Sequence, residues 1–388
     1  MSSFVLKNCN IIGENEVIYN TDIKISDGYI ADIGKFSEDG IDCTDKYVSP
    51  GFIDIHTHGG YGSDFMDATE EAFDDILRFQ ADNGTTTVMP TSVTAPVNLI
   101  KNFMDVARRY KQKKQPYAKV YGVHLEGPYL SLKNKGAQKE EYILNPKKDD
   151  YSFITEYKDI VKTVTISPEL DTDGKMTKEL TQNGIIVCGG HDDGIYPNFM
   201  PAIENGLSHL THMFCAMSDL RFEDGVRNVG LREYGLIDEN LTAEIIADNC
   251  HIPPLLARLI FKCKGRDKMI VVSDALRCAG MPIDGRLYRL GMKDDRTAQL
   301  FKVSDGVAVL ADGSRFAGSI TPLHKMIKNL IDAGISLVDA FRCATANPAR
   351  IIGASSIGKI EKGYRADILV LSSSLEIEKI FIDGREYR

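Results

Sequence analysis

The chain is 388 residues long, 43% hydrophobic and 26% charged, with 46 basic against 55 acidic side chains and a net charge of −9. That length accommodates a large domain with a smaller satellite. The acidic balance argues against a broad nucleic-acid surface and no apolar run approaches the roughly 18 residues of a membrane helix, so neither partner is expected.

Residues 3–48 open the chain with short alternating runs such as Phe4-Val-Leu-Lys-Asn8 and Asp22-Ile-Lys-Ile-Ser-Asp27, a pattern of β strands without helices. The C-terminus repeats it in Asp367-Ile-Leu-Val-Leu371 and Glu378-Lys-Ile-Phe-Ile-Asp383. Strands at both ends predict a small β-sandwich domain built from residues 1–50 plus 351–388. Between them, strand-like stretches at 52–56, 85–89, 120–125, 161–166, 185–188, 207–211, 242–247 and 269–273 alternate with amphipathic ones. The amphipathic stretches are 69–82, 97–113, 175–183, 198–205, 253–264, 322–333 and 336–346. Eight strands in β-α order over residues 51–350 predict an α/β fold, a closed (β/α)₈ TIM barrel. The glycine-rich segment 278–320 reads as an excursion after the eighth strand, a flap over the barrel mouth.

The cysteines, eight in all, are scattered without a Cys-x-x-Cys pair, which suits reduced thiols better than a disulfide framework. The N-terminal stretch is too polar for a signal peptide. A cytoplasmic protein is expected.

Seven of the eight histidines lie in or just beyond apolar strand candidates. In a parallel barrel those ends converge on one mouth, where such proteins carry their chemistry. His56-x-His58 puts two imidazoles on one side of a strand because side chains alternate with period two. They suit a metal, or a pair of loop histidines bonded to backbone. The same period places His124 and Glu126 together. A buried carboxylate there calls for a cation, either a divalent metal or an arginine across the barrel. His191 and His212 add two imidazoles, and Glu plus two His leaves a fourth tetrahedral position open, as in catalytic zinc sites. His209, three residues before His212, faces the other way and reads as structural, while His324 reads as a surface or interface residue. Asp274 ends the last apolar strand as a candidate proton carrier or a turn cap. His251 is a candidate carbonyl polariser, with a structural role the alternative.

The stretches Ser49-Pro-Gly-Phe-Ile-Asp-Ile-His-Thr-His-Gly-Gly60, His124-Leu-Glu-Gly-Pro-Tyr129, Ser167-Pro-Glu169, Gly189-Gly-His191, Thr211-His-Met-Phe214 and Ala243-Glu-Ile-Ile-Ala-Asp248 belong together. With Ser273-Asp-Ala275, Ala317-Gly-Ser319 and Ala344-Thr-Ala-Asn-Pro-Ala-Arg350 they resemble the amidohydrolase superfamily, specifically the N-acetylglucosamine-6-phosphate deacetylases. The resemblance spans nearly the whole chain and implies a distorted (β/α)₈ TIM barrel with a small β domain. It implies a homodimeric enzyme that hydrolyses the acetamide of an amino-sugar phosphate, N-acetylglucosamine 6-phosphate before N-acetylgalactosamine 6-phosphate or another amide. A catalytically silent scaffold is the reading of a different class. It further implies Glu126, His191 and His212 as ligands of the principal metal, His56 and His58 as ligands of a second in some members, Asp274 as general acid/base and His251 on the carbonyl. Zinc leads, with iron, manganese, nickel or cobalt as alternatives, one or two ions per chain. No lysine ends strand four, where other amidohydrolases carry a carboxylated one.

Two departures concern substrate binding, for which His124 is a further candidate. The family's Asn-Ala-Met after the strand-six histidine is here Cys215-Ala216-Met217, and the phosphate-binding arginine has two competing counterparts, Arg221 and Arg227. The backbone amides of Cys215 and Ala216 remain candidate phosphate donors.

Overall fold

The alternating segments at the two chain ends assemble into one eight-stranded sheet. The structure, a computed structural model, describes residues 3–388; residues 1 and 2 of the expected small domain lie outside it. The C-terminal strand Ile368–Leu371 pairs antiparallel with Tyr47–Pro50, which in turn lies beside Ser3–Ile12. The sheet folds over on itself, so that Phe4 stacks on Phe381, three strands away in the sheet, with ring centroids 5.2 Å apart. Leu6, Ile23, Ile25, Ile368 and Phe381 fill the space enclosed. The two layers of the sandwich are therefore halves of a single sheet.

The barrel strands are β1 (Phe52–Thr57), β2 (Thr85–Ser92), β3 (Val123–Glu126), β4 (Val161–Ile166), β5 (Ile186–Gly189), β6 (His209–Leu210), β7 (Thr242–Ile245) and β8 (Met269–Val271). Each pairs in parallel with the next. Closure from β8 to β1 is irregular. At the base, the Val271 and Ile53 amides donate to the carbonyls of Cys343 and Ala344, at 2.9 and 2.8 Å. At the mouth, the Asp274 amide donates to the His56 carbonyl and the His58 amide to that of Ala275, both at 2.9 Å. A wedge of chain between two strands is what distorts the barrel.

The helices pack as their periodicity dictates. Glu70–Asp82 is capped by the Thr69 side chain and buries Phe73, Ile76, Leu77 and Gln80, the three-and-four spacing of one helical face. Each large apolar side chain so buried contributes about 1.5–3 kcal/mol. Val97–Lys111, Lys175–Gln182, Pro254–Lys264, Leu323–Asp332 and Leu337–Arg342 fall where amphipathic stretches are predicted, and 198–205 keeps only the short helix Met200–Glu204. His324 is half-buried rather than exposed. The excursion after β8 is a four-stranded antiparallel sheet (Tyr288–Arg289, Leu300–Ser304, Val307–Leu310, Phe316–Gly318) with its own core of Leu276, Phe301 and Ala308. A hairpin, Arg221–Glu223 with Val226–Asn228, is not anticipated by the strand pattern.

Candidate active site

The turns that end the strands set this site. His191, His212 and Asp274 follow β5, β6 and β8 and take positive φ values of 50°, 25° and 44°. Non-glycine residues adopt that conformation at a cost of about 1–3 kcal/mol each, and it persists where surrounding packing enforces it. Its effect is to aim each side chain across the mouth rather than along the strand.

Two groups of three buried donors result, His56/His58/Glu126 and Glu126/His191/His212, each with its ligand atoms within 4.8 Å of one another. Glu126 Oε1 lies 3.0 Å from His191 Nε2 and 2.9 Å from His212 Nε2, and those two nitrogens are 3.1 Å apart. Donors at about 2.0–2.1 Å from one tetrahedral ion sit roughly 3.3 Å from each other, so this triangle is close to the size a divalent cation needs. His56 Nε2 and His58 Nε2 face each other at 3.3 Å. The far sides of three rings are anchored. His191 Nδ1 meets the Asn134 carbonyl at 3.1 Å, His56 Nδ1 the Glu244 carboxylate at 3.0 Å, and His58 Nδ1 the Thr91 carbonyl at 3.3 Å. Each acceptor holds a proton on Nδ1 and leaves Nε2 free to ligate, the usual outer support of a metal-binding histidine. The residues fit a metal.

Electrostatics agree. Burial alone would lower His212 and His58, but the Glu126 bond on the first and the Asp274 bond on the second, with neighbouring carboxylates, raise both to about 9. Burial would raise Glu126; His191 and His212 hold it well below the usual carboxylate range instead. Asp274, against the same burial, is lowered by the His58 contact at 3.1 Å and by His56 and His212. It is ionised at neutral pH and can accept a proton. A consequence is testable. An ion must displace the proton that His212 holds below pH 9, so zinc affinity of the metal-free protein should fall about tenfold per unit as pH drops from 8.5 to 6.5. Chelator competition across that range measures it, and a flat profile would contradict the assignment.

Above the donors opens a cavity of 590 Å³, lined by His58, Glu126, His191, His212, His251 and Asp274 below, and by Val309 and Arg315–Gly318 of the flap above. The flap therefore does roof the mouth. His251 lines the cavity with its Nδ1 2.8 Å from Asp248 and its ring 4.7 Å from that of Phe316. A carboxylate can only accept, so Nδ1 carries the proton.

Other sequence candidates fall elsewhere. His124 is fully buried beneath the donors, bonded to Thr165 Oγ1 at 2.7 Å and packed edge-on against His56, and it does not line the cavity. Cys215 and Ala216 do line it, but the Cys215 amide donates to the His212 carbonyl at 2.9 Å, leaving the Ala216 amide as the candidate donor. Burial pushes the Cys215 thiol well up, so it stays neutral. Arg221 is held by Asp193 at 3.0 Å and Arg227 is exposed on the hairpin; the arginine that lines the cavity is Arg315. His209 braces Glu244 at 3.0 Å, a structural role.

Sequence reasoning missed Glu244, Gln138 and Arg315. A carboxylate inside the apolar run Ala243-Glu-Ile-Ile-Ala247 is a signal of a buried partner. Loop residues Gln138 and Arg315 carry none.

Comparison with known proteins places these residues in context. The model of the Amidohydrolase family matches residues 47–387. N-acetylglucosamine-6-phosphate deacetylase of Bacillus subtilis (strain 168) is 32% identical, across 97% of this chain and 94% of that protein. N-acetylgalactosamine-6-phosphate deacetylase of Escherichia coli O157:H7 is 28% identical, across 98% of each. Among solved structures, a mutant N-acetyl-D-glucosamine-6-phosphate deacetylase from Mycobacterium smegmatis, in complex with N-acetyl-D-glucosamine-6-phosphate, superposes with a TM-score of 0.88 over 100% of both chains at 26% identity.

Proposed function

We propose that this chain, which belongs to the amidohydrolase family and within it groups with the N-acetylglucosamine-6-phosphate deacetylases, hydrolyses the acetamide of an N-acetylated amino-sugar phosphate. N-acetylglucosamine 6-phosphate is the first candidate and its galactosamine counterpart the second. The observation that carries the reading is the Glu126/His191/His212 triangle with Asp274 beside it on the floor of one cavity.

Glu126, His191 and His212 would hold a divalent ion, zinc ahead of iron, manganese, nickel or cobalt, with His56 and His58 available to a second. When bound, such an ion polarises the acetamide carbonyl and acidifies water. Asp274 takes the proton of the attacking water as the new C–O bond forms. It returns that proton to the amide nitrogen as the C–N bond breaks, and acetate and the free amino sugar leave. His251 stabilises the charge growing on the carbonyl oxygen. To donate from Nε2 while Nδ1 is bonded to Asp248, its ring must be an imidazolium, and Asp248 is the counter-charge for it. The Ala216 amide and Arg315 receive the phosphate, since both line the cavity.

A cytoplasmic homodimer completes the reading. It is supported by eight free cysteines and by Phe222 and Val226, exposed at 68% and 58% on the hairpin. Among the described residues no helix is long and apolar enough to cross a membrane.

The deciding experiment measures acetate release from the two N-acetylhexosamine 6-phosphates and from unphosphorylated N-acetylglucosamine. A phosphorylated substrate should be preferred by at least about 10²-fold in kcat/KM, the value of a missing charged contact of roughly 3 kcal/mol. Arg315→Ala should erase most of that preference. Equal rates with and without phosphate would end the phosphate assignment, and no acetate from any of the three would end the deacetylase one.

A further inference from the structure

A second cavity adjoins the one above the donors. It measures 290 Å³, and its apolar lining is Met66, Val93, Ala95, Leu99, Leu290 and Met292. Val93, Ala137, Gln138 and Leu290 line both cavities. Their common border lies against the donors: Gln138 donates to Glu126 Oε2, and its Oε1 accepts the Thr94 amide at 2.8 Å. Lys139 in the second cavity is engaged by Glu141 and, at 3.7 Å, by Asp295, so its charge is not free for an anionic ligand. The chemistry of the lining suits a short hydrocarbon chain.

The ring of strands fixes which part of a substrate can reach it. β2 and β6 stand four places apart in an eight-stranded barrel and so face each other across the mouth. Ala216, whose amide receives the phosphate in the reading above, follows β6, and His251 follows β7. Val93 follows β2, and Gln138 lies in the loop after β3. The flap repeats this polarity. Leu290 follows the edge strand Tyr288–Arg289 and Arg315 precedes the opposite edge strand Phe316–Gly318, with two strands between. At about 4.8 Å per strand those edges are roughly 14 Å apart. A trigonal amide carbon carries its nitrogen and its acyl carbon on different sides. With phosphate at Ala216 and Arg315 and the amide over the donors, the acyl group therefore points at Val93 and Leu290.

We propose that the second cavity is an acyl subsite, and that this chain also hydrolyses amino-sugar phosphates whose N-acyl chain is longer than acetyl, such as butyryl and hexanoyl. This rests on the deacetylase function proposed above. The bonds exchanged are the same: the oxygen of water joins the acyl carbon, the C–N bond breaks, nitrogen takes a proton from that water, and the fatty acid leaves in place of acetate. Each methylene moved from water into such a lining is worth about fourfold in affinity, which offsets the ordering of a longer chain.

The test compares N-acetyl, N-butyryl and N-hexanoyl forms of the hexosamine 6-phosphate that the acetate assay selects, following release of the free amino sugar. Wild-type kcat/KM should stay within about tenfold of the acetyl value for both longer substrates, whereas a site closed at the acetyl methyl would lose about 10–200-fold per added methylene. Leu99→Trp and Met292→Trp alter residues that line the second cavity alone, and either indole fills it. In each variant acetyl turnover should stay within about twofold of wild type while butyryl and hexanoyl turnover falls at least about tenfold, the cost of forcing methylenes into filled space. A merely structural role for either residue would lower all three substrates together. A fall of more than about tenfold at butyryl in wild type, or folded variants that keep the wild-type chain-length profile, overturns the acyl subsite and leaves the deacetylase reading standing. An acetate assay that selects no substrate overturns both.

Discussion

Asp274→Asn should fold, retain its metal and lose acetate release by about 10²–10⁴-fold, the usual worth of a positioned proton carrier. Asp274 sits in a left-handed turn at the end of β8, its amide bonded to the His56 carbonyl and its carbonyl accepting from the Ser319 amide. Asparagine tolerates that conformation well, so the backbone should not move. The side-chain amide can still bond to His58, which Asp274 now contacts at 3.1 Å. It cannot take a proton from water or hand one to nitrogen. The loss should therefore fall on kcat, with KM changed much less. The pH profile adds a second test. In the metal-free protein the His58 contact and the His56 and His212 charges hold Asp274 below its ordinary value, and the charge of a bound ion would act in the same direction, so the base should stay ionised to lower pH than a free carboxylate and the acidic limb of the wild-type profile should vanish in the variant. A folded, metal-loaded variant within a few-fold of wild type would leave Asp274 as a turn residue only.

What the sequence made legible follows a physical rule. Glu126, His191, His212 and Asp274 each terminate an apolar strand, and a polar side chain at that place has few reasons to exist except a shared partner. Strand order, the paired ends of the chain and the flap could be read for the same reason: period-two and three-and-four patterns are local. Partnerships between distant segments were not legible. Glu244 braces His56 from 188 positions away, and nothing near either residue says so. Arg221 reads as one of two candidate phosphate ligands, and nothing near it says that the turn after β5 delivers Asp193 to it. His124 shares the strand face of Glu126 but lies one layer deeper, bonded to Thr165; period two gives the face, not the depth. The Cys343–Ala344 wedge that distorts the barrel depends on two amides left unpaired by the irregular closure, a tertiary fact with no sequence signature.

Glu126→Gln should lower tightly bound zinc from one ion per chain by at least about 10²-fold in affinity, since replacement of even an outer partner of a metal ligand costs about 10–100-fold, and acetate release should fall with it. The carboxylate supplies Oε1 to both His191 and His212 and Oε2 to Gln138. An amide has one acceptor oxygen and no charge. If that oxygen faces the histidines, its NH₂ meets the NH₂ of Gln138, which Thr94 holds in place. If it faces Gln138, its NH₂ points at the two ring nitrogens and offers no lone pair to an ion. The first choice leaves a buried polar clash and the second removes a ligand. The variant also separates ligation from simple charge neutralisation. In the metal-free wild type, Glu126 is the leading cause that raises His212 to about 9. A raised histidine stabilises the fold fully below its unfolded value near 6.5, and the benefit disappears as pH climbs through 9. Metal-free Glu126→Gln should therefore lose stability relative to wild type at pH 6 and lose little at pH 9.5, by thermal melts in chelator. Added zinc should restore the wild-type protein and not the variant. If zinc rescued both equally, Glu126 would be a counter-ion for imidazolium and not a metal ligand.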